Sequence, residues 1–181
     1  MHRLLATAAL VLATAPAVLA QTATTGALTV QDPMLRATPP NAPVASGFVT
    51  VVNAGEDDDV LEAVMAAPDL STDVELHEMA MADGIMTMRA VEDGIAIPAG
   101  ATVALEPGGL HLMLNDLKVP LAPGDSHALT LRFRDAGQVT MDFPVMSLDE
   151  IRERLEAGPA DGPGLTAESL TEGAQGAASG D

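Results

Sequence analysis

The sequence predicts an all-β fold: an antiparallel β-sandwich with Greek-key connections, followed by a short C-terminal helix and a flexible acidic tail. Three observations carry that prediction. Eight or nine short β-branched or alternating segments recur at regular spacing, each bounded by Gly, Pro, Asn or Asp. No amphipathic helical pattern separates them, which argues against βαβ units. The composition then changes after Met146, where a single helical pattern gives way to Gly, Ala, Ser and acids.

Residues 1–20 read as a secretory signal peptide. Met1-His2-Arg3 supplies a positive start, residues 4–19 are apolar, and Val18-Leu19-Ala20 places small residues before a cut at Gln21. The apolar run is short for a membrane span, holds Pro16, and leads straight into polar Gln21-Thr22-Ala23-Thr24-Thr25. Export to the periplasm is therefore expected, with no stable membrane insertion after cleavage. The chain has no Cys, so a folded domain over residues 21–146 must be stable by packing alone.

Strands are expected over residues 27–30, 47–53, 60–65, 74–81, 85–91, 102–105, 110–115, 128–133 and 139–143. Residues 147–181 form a separate region. Ser147-Leu148-Asp149-Glu150 has the form of a capping box, and Leu148, Ile151 and Leu155 recur at helical spacing up to Gly158-Pro159. A short helix over residues 148–157 is expected, then a flexible tail.

Composition excludes several functions. The 181 residues carry 8 Lys and Arg against 26 Asp and Glu, a formal net charge of −18. Nucleic-acid binding needs cations to displace phosphate counterions, and aromatic residues for stacking make up 2% of the chain. Without Cys there is no disulfide, no thiolate metal site, no thiol nucleophile and no blue-copper centre. No nucleophile motif accompanies the histidines, so no hydrolase, and no enzyme, is expected.

The residues that carry chemistry lie between Val74 and Asn115. Asp83-Gly84 joins two alternating segments and fits a two-residue type I′ hairpin turn. Counting outward from it sets Met81 against Met86, Met79 against Met88 and His77 against Ala90. His77, Met79, Met81, Met86 and Met88 then share one sheet face. Downstream, His111-Leu112-Met113 repeats the His-x-Met spacing after the Pro107-Gly108-Gly109 turn. Together the two elements offer two imidazoles and two or more thioethers. Soft thioether and borderline imidazole, without thiolate or carboxylate, select Cu(I) over zinc, magnesium or calcium. Thioethers do not titrate, so acid weakens such a site through its imidazoles. A methionine stripe by itself is ordinarily core filling, and Met81 and Met86 next to the turn keep that reading. A single His such as His127 is ordinarily structural and receives no role.

These residues resemble a known family. Val74-Glu75-Leu76-His77, Met88 after ten intervening residues, Ile97-Pro98-Ala99-Gly100, and Leu105-Glu106-Pro107-Gly108-Gly109-Leu110-His111-Leu112-Met113-Leu114 are similar to the periplasmic copper chaperones called PCu(A)C. The resemblance spans residues 28–143. Between Met88 and His111 stand 22 residues where the family pattern has 21, a difference assigned to the loop around Glu92-Asp93-Gly94. It implies a cupredoxin-like sandwich that binds Cu(I) through His77, Met88, His111 and Met113, with Met79 in reserve. It further implies a metallochaperone that delivers copper by ligand exchange during cytochrome c oxidase assembly. The acceptor would be the subunit carrying the CuA centre, reached directly or with a Sco-type thiol protein. Copper sequestration for homeostasis at the same site is the alternative, and a metal-free adhesion sandwich is a further one. A monomer is expected. Some family members add a His- and Met-rich C-terminal extension, but this chain has neither residue after Met146.

Overall fold

A computed structural model of the chain describes residues 21–82 and 85–158. The expected signal peptide, the Asp83-Gly84 turn residues and the tail from residue 159 lie outside them. The described residues form eleven strands and one helix. The strands are β1 (Thr22–Thr25), β2 (Leu28–Arg36), β3 (Ala45–Asn53), β4 (Asp59–Ala66), β5 (Asp73–Ala82) and β6 (Ile85–Ala90), then β7 (Ile95–Ile97), β8 (Thr102–Leu105), β9 (Leu110–Asn115), β10 (Ser126–Phe133) and β11 (Gly137–Met146). Helix α1 spans Leu148–Ala157.

Hydrogen bonding orders the strands β6-β5-β9-β3-β2-β11-β10-β4-β7, with β1 added to β2 and β8 added to β3. This path folds into two layers at β11. Gly137 to Pro144 pair with β10 in one layer, whereas Val145 and Met146 pair with Leu35 and Arg36 of β2 in the other. Alternate residues of both layers point inward and bury one core. Val30, Val49, Val51, Leu112 and Leu114 meet Leu61, Leu129, Leu131, Phe133 and Phe143 there. The all-β, cupredoxin-like sandwich expected from the sequence is thus observed.

Three features differ in detail from the expectation. The junction of β11 with β2 is parallel, within an otherwise antiparallel fold. Strands β1 and β7 were not anticipated; Thr22–Thr25 is polar and Ile95–Ile97 has only three residues, too short for alternation to register. Strand β2 runs on past Val30 through a register shift between Gln31 and Met34, where Asp32 adopts a φ of 52°. Such a bulge breaks the period-two pattern in the sequence.

Helix α1 begins at the expected capping box. The Ser147 side chain accepts from the Glu150 amide, and the Glu150 carboxylate accepts from the Ser147 amide. Its buried face, centred on Ile151, packs with Leu155 and Met146 over Met34 and Phe48, a small second core. Arg154 Nη2 donates to Asp32 Oδ1 at 2.9 Å, tying the helix to the β2 bulge. No described helix is long and apolar enough to cross a membrane.

Candidate metal centre

The layer holding β6, β5, β9 and β3 carries the candidate site on the face away from the core. Leu76, Leu112 and Leu114 point into the core, so the intervening His77, His111 and Met113 project from the opposite face. Strand β5 lies between β6 and β9 and pairs antiparallel with both.

Register determines the neighbours. His77 stands directly opposite His111 on β9 and opposite Ala90 on β6. Met113 is two residues beyond His111, opposite Glu75, and Met88 is two residues before Ala90, opposite Met79. Met88 and Met113 are therefore the two diagonal neighbours of His77, one on each flanking strand. Diagonal positions lie roughly 7–8 Å apart, within reach of long side chains. Met79 is on the same face, next to His77 along β5 and facing Met88. The hairpin register matches the count outward from Asp83-Gly84, since Ala82 pairs with Ile85. Pairing of His77 with His111 was not deducible, because sequence alone leaves open which distant strand joins β5.

The two imidazoles meet edge to face, with ring centroids 5.8 Å apart and planes at 63°. His111 is 6% exposed and the His77 side chain 12%, whereas Met88 is 49% exposed. Buried imidazoles beside an accessible thioether make a site that is shielded on one side and open on the β6 side. Met86 is also exposed, and His127 lies on β10 in the other layer, opposite Phe143, away from this cluster.

Each imidazole has one nitrogen already committed. His111 Nδ1 lies 3.0 Å from the Gly109 carbonyl, which accepts, so this nitrogen carries the proton. The same carbonyl accepts from the Met79 amide at 3.1 Å, which fixes the β8–β9 turn against β5. Gly108 sits in that turn at a φ of 88°, a conformation that side chains with a Cβ rarely adopt. His77 Nε2 lies 2.9 Å from Glu75 Oε2, and its Nδ1 is buried with no hydrogen-bond partner. His127 Nε2 in the other layer is likewise buried and unpartnered, but only His77 Nδ1 has a second imidazole and thioethers beside it, a donor set that suits a metal ion.

Two contributors were missed in the sequence, Glu75 and Asn115. The Glu75 carboxyl is held below its ordinary value, first by the Asn115 amide and then by His77, against a smaller opposing effect of burial. Asn115 Nδ2 donates to Glu75 Oε2 at 2.8 Å and to Asp73 Oδ2 at 3.1 Å. Glu75 shares strand parity with His77, a signal available in Val74-Glu75-Leu76-His77; Asn115 needed the β5–β9 register. Among the described residues, no three His, Asp or Glu side chains cluster in a metal-binding group. A metal here must draw on the thioethers, which favours a soft ion.

Comparison with known proteins bears on the family and the fold. The family model described as LpqE-like, a lipoprotein family, matches residues 28–145. A relative named as lipoprotein Lxx21020, from Leifsonia xyli subsp. xyli, is 34% identical over 113 residues, 62% of this chain and 67% of that one. The copper-bound PCuAC domain from PmoF2 is 28% identical with a TM-score of 0.58, covering 70% of this chain and 98% of that domain. The solution structure of Cu(I)-bound DR1885 from Deinococcus radiodurans is 25% identical with a TM-score of 0.53, covering 71% and 82%.

Proposed function

We propose, from the premise that this chain belongs to the LpqE-like family and has a PCu(A)C-type domain, that it is an extracytoplasmic Cu(I) chaperone. One observation carries the reading: two facing imidazoles, one with a buried unpartnered nitrogen, have thioethers on both diagonals, and among the described residues no three His, Asp or Glu side chains form a metal-binding group. Copper-bound relatives of the same fold support it. His77, Met88, His111 and Met113 are the proposed ligands, with Met79 placed to substitute for Met88.

Copper is the cargo, and the chemistry is transfer. The imidazoles are held by their own hydrogen bonds, whereas Met88 lies at the accessible edge. An incoming thiolate is a stronger soft ligand than a thioether, so it displaces Met88 first and draws Cu(I) away. Having no Cys, this chain cannot compete by the same chemistry, which favours delivery to a Cys-bearing acceptor. The CuA-bearing subunit of cytochrome c oxidase, or a Sco-type thiol protein, fits that requirement. Residues 1–20 supply the export signal in this reading. Lipoprotein names belong to the relatives; with no Cys, no residue of this chain takes a thioether-linked lipid.

Titration of Cu(I) under reducing conditions into wild type, His111→Ala and Met113→Ala tests the site. Both variants are expected to bind more weakly, by about tenfold or more for a lost ligand. Wild-type affinity in both defeats the assignment.

A further inference from the structure

The two histidines are held by different groups at different nitrogens. His77 meets a carboxylate through Nε2, and His111 meets a main-chain carbonyl through Nδ1. Both partners can only accept, so in the neutral rings the free electron pairs are on His77 Nδ1 and His111 Nε2. His77 Nδ1 is the buried, unpartnered one. Behind it stands a chain of bonds that orients Glu75. Asn115 Nδ2 bridges Glu75 and Asp73 at 2.8 and 3.1 Å, and the main-chain carbonyl of Asn115 accepts from Ser71 Oγ at 2.6 Å, which anchors the backbone there. One oxygen, Glu75 Oε2, accepts from both His77 and Asn115.

Building on the Cu(I)-binding reading, we propose that Glu75, braced by Asn115, is the positioning residue that makes His77 a Nδ1 ligand, while His111 binds through Nε2. Carboxylates and main-chain carbonyls on the far nitrogen fix ring orientation and raise the basicity of the donor nitrogen. The two rings lie 5.8 Å apart with planes at 63°, and their far partners leave Nδ1 of His77 and Nε2 of His111 free to bind. Rotation of the His77 ring to offer Nε2 instead breaks the Glu75 bond and leaves Asn115 as the one donor to Glu75 Oε2.

Cu(I) has a filled d shell and is diamagnetic, so long-range ¹H–¹⁵N correlation spectra report which ring nitrogen keeps its proton. In the copper-loaded full chain, the proton is expected on Nε2 of His77 and on Nδ1 of His111. Glu75→Ala is expected to weaken Cu(I) binding by about 10–100-fold in a competition titration. Glu75→Gln recovers most of that loss, because one amide oxygen can accept both bonds now made by Oε2. Asn115→Ala gives a smaller loss in the same direction. A copper-loaded His77 protonated at Nδ1 overturns the inference, as does wild-type affinity in Glu75→Ala. If Cu(I) does not bind to the wild type at all, the metal-binding reading itself fails, a distinct result.

Discussion

Met88 is the most accessible of the four proposed ligands, and its side chain adds little to the core. Met88→Leu keeps the volume and removes the sulfur. Stability is expected to stay within about 0.5 kcal/mol, as for other exposed positions, while Cu(I) affinity falls; a urea melt alongside a Cu(I) titration separates the two. Asp59 is the converse, a buried carboxylate remote from copper. It accepts from the amides of Val60, Asp135 and Ala136, joining the start of β4 to the β10–β11 turn. Burial alone pushes its carboxyl up, yet the amide donors together hold it below the ordinary 3.8. A depressed folded pKa adds stability above the ordinary value and loses it as pH falls through the folded one. Asp59→Asn is therefore expected to cost about 1–3 kcal/mol at neutral pH and to flatten the acid limb of the stability profile. An unchanged acid limb in chemical denaturation from neutral pH downward contradicts this.

At the scale of elements, local signals were legible and long-range ones were not. Asp83-Gly84 allowed Met79 to be set against Met88, because a two-residue turn fixes register without further information. Ser147 and Glu150 likewise announced α1. What covers α1 could not be read: Met34 and Phe48, which receive Ile151, lie over a hundred residues upstream and look like ordinary strand residues. The loop expected to absorb the extra residue between Met88 and His111, around Glu92-Asp93-Gly94, lies between β6 and β7. There the chain leaves β6 and crosses to β7 in the other layer through a turn closed by Gly94 N–H to the Val91 carbonyl. Gly94 has a φ of 82°, and a Cβ there would meet the Leu61 carbonyl oxygen at 2.7 Å. This loop lies outside the β5–β9 pairing that sets His77 against His111. For α1 the expected costs are about 1 kcal/mol for Ser147→Ala and about 2–5 kcal/mol for Ile151→Ala, read from denaturant midpoints. The helix lies over β2 and β3 on the same side of the sheet as Met113, one strand away from β9, so a Cu(I) titration of each folded variant reads whether α1 supports the site.

Over the whole molecule, a net charge of −18 sets the conditions for meeting a partner. If complementary charge steers the acceptor, the copper-transfer rate should fall steeply with salt, by about tenfold or more. Stopped-flow transfer to a Cys-bearing acceptor at low and high ionic strength measures it. A flat response assigns the acids to solubility alone. Strand β11 carries a separate consequence. Its first part belongs to one layer and its last two residues to the other, so neither layer can melt without disturbing the strand they share. Ligand binding is therefore linked to unfolding of the entire described domain: copper at a free concentration one hundred times its dissociation constant adds about 2.7 kcal/mol. Heat capacity traces should move as a single peak, and a probe near His127, in the layer without copper, should report the same rise in midpoint as one beside His111.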